Sequence, residues 1–318
     1  MSIVFSDRFR YTLIVSFYKE RIFLKHSLIR FSAVVLTIAF VFALTGCGSG
    51  SNSFTWFVDS IPANLDPQVA SASADVIACE NLYSGLVRKD PSGKYEPALC
   101  ERWEKSSDGL TYTFRLREGA VWSDGQPVTA GDFAFAWQRA ASPELAADYG
   151  YMFAGIEGYP DELNVKAVDD TTFEFVLTAP CAYMEDLMAF PTFFPVKQSA
   201  VEAFADWQTS PGGWCQNAGF VSNGPFVCTA WDHDVSMTYE KNPYWYDADS
   251  VELEKIEFML SADDTAIYAA YNAGNVDMID TVPNDEIQTL LDNPEFYIVD
   301  NLGTYYAAFN CKSPLFAD

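Results

Sequence analysis

The sequence predicts an α/β fold (α/β or α+β, with mixed sheets), and three observations predict it. Residues 110–117 alternate Leu110, Tyr112, Phe114 and Leu116 with Thr111, Thr113, Arg115 and Arg117, the period-two pattern of a half-buried strand. Phe133, Phe135, Trp137 and Ala140 fit a helix over residues 130–141. Thr129 stands at its N-cap, and Asp132 three residues on makes a near capping box. Finally, strand and helix patterns interleave along the chain rather than gathering into blocks.

Taken in order, residues 54–59 (Phe-Thr-Trp-Phe-Val-Asp) read as a strand. Residues 74–86 carry Val76, Ile77, Leu82, Tyr83 and Leu86 at helical spacing, with Gly85 as a stop. After the strand at 110–117, Ser123-Asp124-Gly125 marks a turn, read as structural because Gly supplies positive φ and Asp a local acceptor. Residues 165–168 and 172–177 read as a hairpin about Asp169-Asp170. Residues 182–189 read as a short helix stopped by Pro191. Residues 226–231 and 235–241 read as two strands about a polar turn, and 254–259 as another strand. Residues 263–273 read as a helix ending at Gly274, 276–281 as a strand, 283–291 as a helix, and 297–301 and 305–310 as strands. No internal repeat is visible.

The N-terminus has a different character. Lys25 and Arg30 lead into an almost wholly apolar run, 31–44, then Leu44-Thr45-Gly46-Cys47 and a Gly/Ser stretch. A basic segment, a short apolar segment and small residues make an export signal. The run is short for a bilayer span of about 20 residues. Residues 1–46 are expected to be the signal and 47–53 a flexible tether. The first 46 residues hold six Lys/Arg and two Asp/Glu, so they carry +4, and the rest of the chain −29 of the net −25. So acidic a body argues against nucleic acid as a partner. Six cysteines follow Cys47: Cys79, Cys100, Cys181, Cys215, Cys228 and Cys311. None has metal-type spacing, and both disulfides and buried free thiols remain open.

Much chemistry is missing. Beyond the signal the chain has one histidine, His233, in the polar run Trp231-Asp232-His233-Asp234. Two-histidine zinc sites are therefore excluded, and a catalytic triad would have to use this one turn residue. There is no P-loop, G-x-S-x-G or dinucleotide fingerprint. A glycosidase-type carboxylate pair stays open, since acids are abundant, but no pair stands out. A binder without catalytic residues, metal or cofactor is favoured over a secreted enzyme. An adhesion or sensory role is a further alternative.

Several segments carry a resemblance. They are Leu65-Asp66-Pro67 with Asn81-Leu82-Tyr83-Ser84-Gly85-Leu86, Glu96-Pro97-Ala98-Leu99-Cys100-Glu101-Arg102-Trp103, the run from Tyr112 through Trp122-Ser123-Asp124-Gly125 to Phe133, Ser222-Asn223-Gly224-Pro225-Phe226, and Lys241-Asn242-Pro243-Tyr244-Trp245. In this order they resemble the family 5 solute-binding proteins, the oligopeptide- and dipeptide-binding components of bacterial ABC importers. Cys100 replaces the family's usual alanine. Leu-Thr-Gly-Cys likewise resembles a bacterial lipobox, in which Cys47 would be acylated after cleavage.

The resemblance implies a two-lobed periplasmic-binding-protein clamp (type II-like) with an inserted small domain. It places the first lobe at 54–83 and 198–302, the insert at 84–197, and the start of a truncated second lobe at 303–318. It implies ligand contacts at Ser71, Ala72 and Ser73, where relatives lay a strand segment against the peptide, and at Tyr149, Phe190 and Tyr306, which line the cleft. It also implies a peptide ligand, ABC permease and ATPase partners, and a lipid anchor on the outer side of the cell membrane. The alternative is the same fold holding an oligosaccharide, a nickel complex or haem.

Overall fold

The computed structural model describes residues 52–58, 62–298, 307–313 and 315. The expected signal (1–46), Cys47 and Tyr306 lie outside the described residues. The elements are β1 (Ser53–Val58), α1 (Ser73–Leu82), β2 (Val87–Lys89), β3 (Tyr95–Pro97), β4 (Cys100–Lys105), β5 (Thr111–Leu116), α2 (Ala130–Ala141), β6 (Val165–Asp169), β7 (Thr172–Val176), α3 (Met184–Met188), α4 (Gln198–Glu202), β8 (Phe226–Asp232), β9 (Ser236–Lys241), β10 (Lys255–Leu260), α5 (Asp264–Asn272), β11 (Met278–Ile279) and α6 (Ile287–Leu290).

Period-two alternation builds one sheet. Tyr112, Phe114 and Leu116 of β5 turn inward opposite Phe173 and Phe175 of β7, in an antiparallel sheet of order β4-β5-β7-β6. The apolar face of α2 packs on it. Trp137 meets Phe173 edge-on at 4.9 Å, and its indole N–H donates to the Phe193 carbonyl at 2.8 Å. The capping box at Thr129 forms as the spacing predicts, with Asp132 bonded in return.

A second sheet has the order β11-β1-β10-β9-β8. β1 runs parallel to β10 and β11, and β10, β9 and β8 are antiparallel neighbours. Cys79 and Leu82 of α1 share a core with Phe226, Tyr239 and Phe258 of this sheet.

The Trp122-Ser123-Asp124-Gly125 turn is built as a structural device. Gly125 has φ +78°, and its amide donates to the Trp122 carbonyl at 2.8 Å. Trp122 is fully buried, and Asp124 pairs with Lys197.

Five expectations need correction. The helix expected over 74–86 ends at Leu82, because Tyr83 is extended (φ −130°, ψ 160°) and the Gly224 amide takes the Leu82 carbonyl at 2.7 Å. Gly85 allows close packing instead of stopping a helix: an added Cβ would lie 2.6 Å from the Phe194 ring. The strand expected over 276–281 shrinks to β11, which among the described residues pairs opposite Trp56 and Phe57. The helix expected over 283–291 shrinks to α6, where Ile287 alone is buried, too little apolar contact to carry more turns. Of the strands expected over 297–301 and 305–310, residues 297–298 and 307–310 lie in no strand, and 299–301 and 305–306 lie outside the described residues.

The strands β2, β3 and β4 carried no readable alternation. All six described cysteines are free thiols, four of them buried. Burial pushes the Cys100 thiol up to about 12 and Cys228 to about 11, so both stay protonated and unreactive at neutral pH.

Candidate ligand-binding site

The site begins with a buried carboxylate. Asp66 follows Leu65 and precedes Pro67, and it is fully buried. Its carbonyl accepts the Val69 and Ala70 amides at 3.0 and 2.9 Å, and its side chain accepts the Gln68 amide at 3.1 Å. This turn leads into a short strip, Ser71 and Ala72. Ser71 is half-buried, and Ala72, exposed at φ −76° and ψ 152°, caps α1. Ser73 already opens the helix, so it continues no extended segment from Ala72. Among the described residues no hydrogen bond engages the amides of Ser71 and Ala72, which leaves two adjacent backbone donors.

Tyr149 arrives from the loop after α2. That loop hugs the helix end so closely that a Cβ on Gly150 would sit 2.8 Å from the Ala140 carbonyl. The Tyr149 hydroxyl donates to the Ser71 carbonyl at 3.4 Å. Its ring stands perpendicular to Phe190 at 5.2 Å and near Tyr151 at 6.3 Å. Phe190 is half-buried and opens the turn Pro191–Phe193. The fold thus brings Ser71, Tyr149 and Phe190 together from segments up to 119 residues apart, with Ala72 and Ser73 beside them.

Two features escaped the sequence. Tyr151, 61% exposed, extends the aromatic shelf outward. Beneath the strip lies a buried ion pair. Arg139 grips Asp66 with both terminal nitrogens, at 3.0 and 2.5 Å, and donates to the Gln68 side-chain oxygen at 2.8 Å. Trp214 donates to the same carboxylate at 2.9 Å. The legible signal was an arginine three residues from Ala136, on the buried side of an amphipathic helix.

Both terminal nitrogens of Arg139 are engaged by Asp66 and Gln68, while its buried Nε has no hydrogen-bond partner among the described residues. Exposed Asp148 stands next to Tyr149. Among the described residues no cluster of His, Cys, Asp or Glu could hold a metal. His233 is an exposed turn residue bonded to the Gln216 carbonyl at 3.0 Å. A depression of about 190 Å³ lies on the outer face of the β4–β7 sheet, among Arg102, Glu104, Thr113, Arg115 and Thr172, and it contains none of the site residues. The site offers the backbone amides of Ser71 and Ala72 and the aromatic surface of Tyr149, Tyr151 and Phe190.

Residues 94–318 match the family described as "Bacterial extracellular solute-binding proteins, family 5 Middle". The chain belongs to this family. The dipeptide-binding protein DppE of Bacillus subtilis is 35% identical to this family 5 chain over 258 residues, covering 78% of it and 46% of DppE. The "Probable deoxycholate-binding periplasmic protein YgiS" of Escherichia coli is 35% identical over 272 residues, covering 81% of the chain and 49% of YgiS. The structure of Listeria monocytogenes OppA bound to peptide superposes with a TM-score of 0.72 and 32% identity, over 77% of the chain and 49% of OppA. The mixed α/β architecture is thus that of a periplasmic-type binding protein. This family 5 chain spans about half the length of the relatives it matches.

Proposed function

We propose that the protein captures peptides outside the cytoplasm as the solute-binding component of an ABC importer. The observation that carries this reading is the pair of unengaged Ser71 and Ala72 amides, with Ala72 extended, beside the perpendicular Tyr149 and Phe190 rings. A binder of varied peptides must hold what all peptides share, and an extended backbone segment does so by strand addition. Aromatic walls add apolar contact with little demand on side-chain identity. Tyr306 is proposed to complete the wall, and Ser73 its edge.

Titration calorimetry of the full-length protein with di- to pentapeptides tests the reading. Saturable binding is expected, and Tyr149→Ala should weaken it about tenfold, as for a buried aromatic anchor. Binding of an oligosaccharide, deoxycholate, haem or a nickel complex, with no peptide bound, would replace the peptide reading.

We also propose two units, 54–83 with 198–302 and the insert 84–197. Support comes from the two cores: one gathers residues from Leu86 to Val201, the other gathers Val58 to Tyr83 with Phe194 to Leu260. A destabilising change in one core should then raise amide exchange in that unit before the other.

Membrane attachment is proposed to run through acylated Cys47, because Leu44-Thr45-Gly46-Cys47 follows the apolar run. Cys47→Ala should abolish lipid labelling and block maturation. Unchanged labelling and mature mass in that variant would exclude this anchor.

A further inference from the structure

We infer that Arg139 is a positioning residue for the ligand strip: its paired grip on Asp66 sets the backbone of residues 69–72 and ties that strip to the helix that carries Tyr149. The inference rests on the binding role proposed for Ser71, Ala72 and Tyr149, and it concerns residues that touch no ligand.

The geometry supplies the case. Asp66 is 0% and Arg139 5% exposed, so the pair is out of water. Burying two charges costs several kcal/mol for each ion, and apolar replacements of such pairs are often as stable. Stability therefore gives little reason to keep it. Its position gives a better one. The Asp66 carbonyl holds the Val69 and Ala70 amides, and Ser71 and Ala72 follow directly. Gln68 is clamped from two sides, by Arg139 at 2.8 Å and by its own donation to the Phe194 carbonyl at 2.8 Å. The strip is thus fixed from below by a group on α2.

Arg139 also serves the other wall. It lies in the last turn of α2, and its carbonyl accepts from the Ser142 amide and hydroxyl at 3.2 and 3.0 Å. The loop leaving that turn presents Tyr149, whose hydroxyl returns to Ser71. A closed path therefore runs from Asp66 through Arg139, the end of α2 and Tyr149 to Ser71, and back along the strip. Asp66 follows Leu65 of the second core, α2 belongs to the first, and Trp214 packs against both. The spacing between strip and aromatic shelf is fixed where the two cores meet. A guanidinium suits this task because its planar fork fixes direction as well as distance, which an ammonium does not.

The test uses the full-length protein carrying Arg139→Met with Asp66→Asn. This pair removes both charges together and keeps one acceptor oxygen, enough for the Gln68 amide at Oδ1 but not for the Trp214 indole at Oδ2 as well. Arg139→Lys is the second variant, which keeps the charge and loses the fork. Three quantities are measured: melting temperature, amide exchange at Val69 and Ala70, and affinity for tetra-alanine. In the double variant the expected result is melting within a few degrees of the parent, exchange at Val69 and Ala70 faster by about tenfold or more, and affinity weaker by about tenfold. Arg139→Lys should change exchange and affinity in the same directions by about threefold or more. If the double variant fails to fold, the lysine variant decides the same question. Unchanged exchange at Val69 and Ala70 overturns the inference whether or not tetra-alanine binds. Faster exchange with unchanged affinity also overturns it, because the strip would then be loose without consequence. A parent protein that binds no peptide defeats the peptide reading alone, and the exchange result still judges the role of Arg139.

Discussion

Trp137→Ala should lower stability by about 3–5 kcal/mol, the cost of truncating a large buried aromatic. Trp137 is wholly buried at the centre of the first core. Its ring lies 4.9 Å from Phe173, 5.1 Å from Phe175, 5.1 Å from Phe193 and 5.7 Å from Phe153. These neighbours come from β7, from the turn after α3 and from the turn after α2, so none can close the gap without moving another. The change also strands the Phe193 carbonyl that the indole N–H satisfies at 2.8 Å. Both losses act in the same direction. Denaturant unfolding followed by far-ultraviolet circular dichroism measures the effect. A loss under about 1 kcal/mol would mean that this core repacks freely, contrary to the dense ring contacts.

Gly224→Ala should cost about 3 kcal/mol, near the top of the range for forcing an atom into a filled space. An added Cβ would stand 2.4 Å from the Leu82 carbonyl carbon and 2.5 Å from the Tyr83 nitrogen. Both are backbone atoms and cannot rotate away. The same residue donates its amide to the Leu82 carbonyl, and its own carbonyl accepts the Asn242 side-chain amide at 2.8 Å. Asn223 exchanges two further hydrogen bonds with the Ser84 backbone, at 3.0 and 3.2 Å, and the Trp245 indole reaches the Ser84 hydroxyl at 3.1 Å. Three sequence motifs, around residues 82–85, 222–226 and 241–245, therefore close on one another as a clasp between α1 and the start of β8. Gly155→Ala is the control, because nothing lies within 4 Å of its added Cβ, and it should stay within about 0.5 kcal/mol of the parent. Equal thermal melting of the two variants would show that the approach at Gly224 is looser than the geometry states.

The sequence by itself determined the elements whose signal is local. The alternation at Tyr112, Phe114 and Leu116 specified β5, and the Thr129–Asp132 capping box specified where α2 begins, because side-chain period and capping act within a few residues. The family resemblance also put Ser71, Tyr149 and Phe190 forward as site residues, although no local pattern joins them. Tertiary structure decided what depends on distant partners. The end of α1 was set by Gly224 and Asn223, about 140 residues away in the chain, which offered the Leu82–Ser84 backbone better partners than another helical turn. Among the described residues β11 has one strand neighbour, β1, and pairs with it over two residues. The ion pair of Asp66 with Arg139 stayed hidden because its partners, too, are distant in the chain. A charge survives burial only when another charge reaches it, and which one does so is fixed by how the two cores pack, a relation that no window of sequence contains.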